Sequence, residues 1–515
     1  MGVAVDLYNT ISEFLQTADH TTLILLAIAV IGASTLLFKT KATSANEPPM
    51  VPYTIPLLGS AIPYGIDPIK FLQDCRAKYG DCFTFMMMGR KMTFCLGPDG
   101  NHFVFNVPIA NASAEGAYRT LTVPVFGTEV VYDVHNSVFM EQKKFVKDTF
   151  TSDAFKKYVP LIWEESVEFF NTFPKKGTAL IFKEMSELTI RTAAACLMGK
   201  EIRSQLHSNV AQLYHDLDRG LAPINVFFRW LPLPTYFARD RAHNLMTETF
   251  KKIIAERRKN NIEYTDVLST LMKSEYKNGT KMSDDAIAHL MIATLMGGQH
   301  TSSTTTSWIL FELARRPDVI EEIMKEQSMI LTGKPDTPAK DLPQFDYEQL
   351  RKMEFLDCVM KETLRLHTPI HTVMRKVEKN VTYQGFEIPK GHFLCGSQAV
   401  SQFDPVRFPD PEKFEPSRFL NDTEGNGEWT INGVNIAQKS ARSHFLPFGA
   451  GRHRCIGEAF AYVQIKTIIA IFLRQFSLQL VKDNENQLKF PKADYTSLIV
   501  VPEGESYIQF SRREE

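Results

Sequence analysis

Hydrophobic and polar positions divide the chain into stretches of different character. From Thr21 to Phe38 the run TTLILLAIAVIGASTLLF carries no charge. As a helix it is about 27 Å long, enough for a thin bilayer. No Lys or Arg precedes it, whereas Lys39 and Lys41 follow at once. The positive-inside rule therefore predicts residues 1–20 in the lumen and everything after residue 39 in the cytosol. A cleaved signal peptide would need basic residues ahead of the apolar run, where Asp6, Glu13 and Asp19 stand instead. Residues 3–16 place Leu7, Ile11, Phe14 and Leu15 at helical spacing, which reads either as an amphipathic helix on the lumenal surface or as a frayed tail. Residues 39–56 form a Pro-rich linker ending in EPPMVPYTIP, a stiff connector. Residues 57–515 show no internal repeat and no second such linker, and predict one cytosolic domain. The sequons at Asn111, Asn278, Asn380 and Asn421 fall on the cytosolic side and are expected to stay unmodified.

Helical periodicities dominate that domain. CFTFMMM and KMTFCLG around Gly89-Arg90 predict a hairpin over 82–96. Further strands are expected near 381–396 and in TSLIVV and SYIQF at the C-terminal end, with surface loops at 331–347 and 421–440. The fold class is mainly α with small, separate β-sheets (α+β). The segment PINVFFRWLPLP (223–234) reads either as the membrane-facing lip of a substrate channel or as a connection packed on the core.

One helix stands out. Ser283 is the expected N-cap, Asp284 and Asp285 favour the first turn, and Arg315, Arg316 and Pro317 stop it. It is apolar nearly all round at both ends, so it should be buried. Its centre, GGQHTSSTTT, is a poor helix former, each Gly costing about 1 kcal/mol relative to Ala. Such a centre either packs closely on another backbone or faces a ligand.

Composition narrows the classes. With 58 Lys plus Arg against 59 Asp plus Glu, the 515-residue chain has a net charge of −1 and no basic excess for nucleic acid. The 37 Phe and 19 Met can fill a large core. Seven scattered Cys without a C-x-x-C pair exclude a zinc ribbon and fit reduced, mostly buried thiols.

Residues 445–457, FLPFGAGRHRCIG, precede an apolar helix and contain F-x-x-G-x-x-x-C-x-G through Phe448, Gly451, Cys455 and Gly457. Gly449 and Gly451 permit a tight turn, and Cys455 sits before a helix N-terminus whose free N–H groups stabilise a thiolate. The pattern resembles the haem-thiolate signature of the cytochrome P450 family. That resemblance implies the P450 fold, haem b with Cys455 as its metal ligand, Phe448 shielding the sulfur and Gly457 leaving room for the porphyrin. It makes Glu362 and Arg365 of the E-x-x-R motif, with Arg418 of FEPSRF, a buried triad steadying the haem loop. It also gives Gly297-Gly298-Gln299-His300-Thr301 as the oxygen-activation segment, a kinked groove over the haem in which Thr301 bonds dioxygen and relays protons. Most members carry an acid where this chain has His300, a departure that puts the usual relay in doubt and is typical of sterol 14α-demethylases.

YRTLTVPVFGTEVVYD (118–133) is similar to the signature of those enzymes, the fungal ones above all. By that match Tyr118, Tyr132, Lys143, Arg375 and His453 would meet the haem propionates. Tyr118, Leu121, Thr122, Phe126, Val131, Tyr132, Gly297, His371 and Thr372 would line a sterol cavity. The resemblance implies lanosterol or its 24-methylene relative as substrate, formate as leaving product, and azoles as inhibitors. It implies an endoplasmic reticulum membrane location with the catalytic domain cytosolic. No G-x-G-x-x-G nucleotide site is evident, so NADPH-derived electrons must come from a partner, NADPH–cytochrome P450 reductase. Arg442, Arg452, Arg454 and Lys466 are candidates to face that acidic flavoprotein.

Overall fold

The computed structural model describes residues 44, 46–55, 58–199, 209–221, 225, 233–260, 264, 266–420, 430–431, 434–435, 441–483 and 485–513. The expected span at 21–38, the lumenal tail, most of the 223–234 lip and the sequon at Asn421 lie outside them. Among the described residues no helix is long and apolar enough to cross a membrane.

Helices of ten residues or more are numbered α1 (Pro68–Tyr79), α2 (Gly97–Asn106), α3 (Ala114–Phe126), α4 (Asn136–Lys147), α5 (Ser152–Asn171), α6 (Ile181–Met198), α7 (Asn209–Asp218), α8 (Pro234–Asn260), α9 (Asp284–Ala314), α10 (Pro317–Thr332), α11 (Glu354–Leu366) and α12 (Glu458–Gln475). The largest sheet is mixed, in order β1-β2-β8-β5-β3, from β1 (Cys82–Met87), β2 (Arg90–Cys95), β3 (Ala112–Ser113), β5 (Val373–Val377) and β8 (Phe393–Gly396). A second sheet runs β11-β14-β4, from β4 (Lys176–Leu180), β11 (Phe476–Leu480) and β14 (Tyr507–Arg512). The remaining strands pair in twos, β6 (Val381–Tyr383) with β7 (Phe386–Ile388), β9 (Thr430–Ile431) with β10 (Val434–Asn435), and β12 (Ala493–Asp494) with β13 (Val501–Pro502).

The β1–β2 hairpin turns one residue earlier than expected. Met87 pairs with Arg90, and Met88 and Gly89 both take positive φ, 49° and 77°. Two such residues give a turn whose twist matches the strands. TSLIVV is not a strand over most of its length. Val500 N donates to Pro369 O at 2.8 Å and Val500 O accepts from Thr304 Oγ1 at 2.9 Å, so its backbone groups are satisfied by a loop and a helix.

Helix α9 crosses the core as the sequence predicts. Ser283 Oγ accepts from Ala286 N at 3.0 Å, Asp284 opens the helix and Arg315 caps its end. It packs most extensively on α6, and α12 and α11 lie against it too. The helix is continuous from Asp284 to Ala314, across the 297–301 stretch. The centre's hydroxyls turn back on the backbone without interrupting the helix. Thr301, Thr305, Thr306 and Ser307 each donate to the carbonyl four residues earlier, at 2.7 Å. Satisfying hydroxyls this way allows them to be buried in the core.

Candidate active site

Three parts of the fold converge on Cys455. The first is its own loop. Gly449 and Gly451 take φ of +67° and +63°, and a Cβ on Gly451 would sit 2.8 Å from Phe105 O, so the turn presses directly on α2. Leu446 O accepts from Gly449 N at 3.0 Å and Phe448 O from Cys455 N at 3.0 Å. Phe448 packs against Tyr462, ring centroids 5.9 Å apart. Gly457 caps α12, and its N–H draws the Cys455 thiol down while burial pushes it up, with a net rise. A Cβ on Gly457 would meet only the Cys455 sulfur, at 3.8 Å. Of the seven free cysteines six are buried; Cys455 is enclosed by protein on one side, which raises its thiol, and keeps an exposed surface on the other, where a cavity opens.

The second part is the anchor beneath the loop. Glu362 and Arg365 are 0% exposed and joined by two bonds of 2.8 Å, and Arg418 Nε reaches Glu362 Oε1 at 3.0 Å. The guanidiniums then bind the backbone ahead of the Cys loop. Arg365 reaches Gln402 O, Pro411 O and Lys413 O, and Arg418 reaches Pro409 O and Asp410 O. A surface i, i+3 pair is worth little, but a buried charge network that also ties down a segment is costly to break.

The third part is a cationic, aromatic rim. Tyr118 stacks on Tyr132 at 5.4 Å, and Tyr132 lies 6.0 Å from the His453 ring. Tyr118 Oη accepts from Met374 N at 2.9 Å, and burial holds its phenol well above the ordinary range, so it remains a proton donor. Arg375 is 4% exposed; its Nη1 donates to Met374 O, and no carboxylate among the described residues pairs with it. Burial, with Arg375, Lys143 and Arg452 nearby, drives His453 down to about 3, and its buried Nδ1 has no partner among the described residues. Lys143, pushed down to about 8 by burial, donates to Arg452 O at 2.8 Å and Arg454 O at 2.5 Å, so it also props the loop. A buried guanidinium lacking an anion is unfavourable unless one is supplied. A flat cofactor bearing carboxylates and an iron that takes a thiolate fits this donor set.

Facing the site, a Cβ on Gly297 or Gly298 would meet nothing within 4 Å. Close packing of backbones is thereby excluded, and the glycines face open space on one side of a buried helix. Thr301 shares that face one turn on, its Oγ1 held by Gly297 O. Gln299 Oε1 is buried without a partner among the described residues. His300 turns the other way, its Nε2 3.2 Å from Asp218 Oδ1 at the end of α7, an ion-pair distance without hydrogen-bond alignment. Burial lowers the His300 pKa while Asp218 raises it.

Leu121 and Thr122 are buried on α3, Thr122 donating to Tyr118 O at 3.1 Å, and Phe126 and Val131 pack at the edge of the main core. Val131 takes φ +51°, a strained value for a β-branched residue, and its N–H finds Gln142 Oε1 at 3.3 Å. His371 and Thr372 bond each other at 2.8 Å, and Tyr64 Oη donates to Thr372 Oγ1 at 3.3 Å.

Residues 48–510 match the sequence model of the family described as Cytochrome P450. The chain belongs to the cytochrome P450 family. Similar curated proteins include the lanosterol 14-alpha demethylase of Cunninghamella elegans, 45% identical over 91% of this chain and 92% of that one. The eburicol 14-alpha-demethylase of Uncinula necator is 42% identical over 97% of this chain and 96% of its own. The lanosterol 14-alpha demethylase erg11 of Schizosaccharomyces pombe is 42% identical over 95% and 98%. Among solved structures, retinoic acid bound cyanobacterial CYP120A1 superposes with a TM-score of 0.74 at 21% identity, covering 92% of this chain and 100% of that one, which supports the same helical P450 fold with small sheets.

Some residues of this P450 escaped the sequence reading. Asp218 is a lone acid on another helix, without a local signal. Glu326 is another: α11 has no N-cap side chain of its own, and Glu326 of α10 accepts from Phe355 N at 2.5 Å and Leu356 N at 3.1 Å. Lys466, one of the candidates to face a flavoprotein, is 4% exposed and bound to Asp357 at 2.7 Å and Leu350 O at 2.8 Å. Arg442 pairs with Asp99 and Arg454 with Glu458.

Removing Glu362 leaves two guanidiniums without their anion, at a cost of about 3–5 kcal/mol. Glu362→Ala is expected to lose most of its haem content, measured against total protein; wild-type haem loading would remove the anchoring role. Burial pushes the Glu326 carboxyl up to about 7 from 4.5. A raised acid favours the folded state below its unfolded pKa, and that stability is lost as pH rises through the folded value. In urea melts, the wild type should therefore lose ground to Glu326→Gln between pH 4.5 and 7, and a constant difference across that window would contradict the shift.

Proposed function

We propose that this chain is a sterol 14α-demethylase. It would remove the C14 methyl of lanosterol or of its 24-methylene relative as formate, in three steps that each consume O₂ and two electrons from NADPH. The methyl passes through alcohol and aldehyde, and formate leaves as the 14,15 double bond forms. The observation that carries the reading is the joint presence of the Cys455 loop, the 118–133 segment beside it and relatives named for this reaction over nine-tenths of the chain.

Haem b, ligated by Cys455, would supply the redox chemistry that activates dioxygen. The protein's own residues supply the rest. Arg375, Tyr118 and Tyr132, with Lys143 and His453 nearby, would hold the propionates. Leu121, Thr122, Phe126 and Val131 would line the cavity with His371 and Thr372, binding a rigid apolar skeleton by burial at about 25 cal/mol per Å². Gly297 and Gly298 leave room against α9 for the substrate's reacting edge. Thr301 holds a hydroxyl on that face, able to accept as it stands and to donate once it leaves Gly297 O. His300 and Asp218, 9% and 28% exposed, would hold a proton on the neighbouring face of α9, with Asp218 in reach of solvent. The acid that most family members place before the Thr would here come from another helix.

Electrons would come from NADPH–cytochrome P450 reductase. A cavity of about 1050 Å³ opens beside Cys455, lined by Lys143, Lys144, Lys147, Arg351, Arg452 and Arg454 against Asp357 and Glu458. That excess of cations suits an acidic flavoprotein. The apolar run at 21–38 would anchor the enzyme in the endoplasmic reticulum membrane, with residues 57–515 in the cytosol, and azoles would bind the haem site.

The deciding experiment is reconstitution of the full chain with reductase, NADPH and either lanosterol or its 24-methylene relative. Mass spectrometry should find a 14-demethylated diene and one formate per product, both abolished in Cys455→Ser. Absence of that product from either sterol would defeat the assignment. Asp218→Asn should keep the spectral response to sterol but slow turnover by on the order of tenfold to a hundredfold, with more NADPH oxidised per product. Unchanged turnover and coupling would exclude Asp218 from proton supply.

A further inference from the structure

The buried Glu362 cluster and the Cys455 loop are distinct in sequence, and one side chain joins them. Gln402, 0% exposed, follows β8 at the end of a short helix, Gln398–Gln402. Its Nε2 lies 3.1 Å from Leu364 O, 3.0 Å from Arg365 O and 2.5 Å from Thr368 Oγ1. Its Oε1 accepts from Leu446 N at 3.2 Å, and its backbone carbonyl accepts from Arg365 Nη1 at 3.1 Å. The donating half of the amide is thus spent on α11 and the accepting half on the loop.

The accepting half has no evident substitute, and the donating half has one only in part. The last carbonyls of a helix have no partners within it, and α11 ends at Leu366; Leu364 O also accepts from Thr368 Oγ1 at 2.8 Å, so Arg365 O is the carbonyl that depends on Gln402. Leu446 is 2% exposed, and its N–H would be a buried orphan without Gln402. From Leu446 the bonding continues through Gly449 N to Leu446 O and Cys455 N to Phe448 O. An amide at 402 therefore fixes the first rung of a ladder that ends on the backbone of the sulfur-bearing residue.

We propose that Gln402 is a positioning residue for Cys455, transferring the fixed geometry of the Glu362–Arg365–Arg418 cluster to the loop and so setting where the sulfur stands. The inference rests on the haem-thiolate reading of Cys455. Gln402→Leu removes both halves of the link. Gln402→Glu keeps an acceptor for Leu446 N but turns oxygens toward Leu364 O and Arg365 O. Thr368→Val removes one of three acceptors and the hydroxyl's own bond to Leu364 O but leaves the Leu446 contact, and serves as the control.

The full chain is expressed in membranes, total haem is measured, and the carbon monoxide spectrum of the reduced protein gives the fraction with a thiolate-type Soret band. Both Gln402 variants should bind haem but lose about fivefold in the ratio of thiolate-type to other haem, the scale of one neutral hydrogen bond. Thr368→Val should stay near wild type. A Gln402 variant that binds haem with the wild-type ratio overturns the inference alone, whereas a wild-type chain without the thiolate band overturns the haem-thiolate reading and this inference with it. If neither variant accumulates folded, hydrogen exchange on the wild-type holoenzyme decides. The Leu446 amide should exchange as slowly as the amides of α11, and exchange at the rate of an unstructured peptide overturns the link.

Discussion

A carboxylate sealed from water at position 362 governs much of this molecule. Its two oxygens are shared between Arg365, Arg418 and the N–H of Glu415 at 2.9 Å, so no part of it is left to solvent. Those guanidiniums have donors to spare, and they use them on carbonyls between 402 and 413. Burying one anion thus immobilises a segment that otherwise lacks regular structure. Such an arrangement adds little net stability compared with an apolar core, but it specifies one geometry. A metal-ligand loop needs that specificity more than it needs stability.

The same trade governs α9. A buried helix rich in Gly, Ser and Thr is a weak one, yet its hydroxyls are absorbed by its own carbonyls and by Val500. The cost is accepted along one stripe only, where Gly297, Gly298 and Thr301 leave space and one hydroxyl. His300, a single residue away, points elsewhere because successive helix positions differ by about 100°. One short run therefore serves two purposes, room for a ligand on one face and an imidazole–carboxylate contact with α7 on another.

Charge on the Cys455 side follows a simple rule as well. Arg454 pairs with Glu458, and other cations near the site are engaged on backbone carbonyls, as Lys143 is, or buried without an anion among the described residues, as Arg375 is. The first kind shapes the loop, and the second calls for a ligand with negative charge. Lys144 and Lys147 remain exposed on α4 and give the adjoining cavity its positive character.

The sequence alone determined whatever rests on local spacing. Ser283 and Arg315 bounded α9 because capping depends on nearest neighbours, the glycine turn before Cys455 was legible because φ is a property of single residues, and E-x-x-R placed two charges on one helix face. Local spacing failed where hydrogen bonds leave the segment. TSLIVV has a strand's composition, but its backbone partners belong to Pro369 and Thr304. Lys466 looks like a surface cation until Asp357 is seen beside it. Asp218, Glu326 and Gln402 carry no motif, since each acts on a residue 29 to 82 positions away. Only the tertiary structure decided those pairings, because a buried polar group is satisfied by whichever partner packing brings within about 3 Å, and packing is a property of the whole chain.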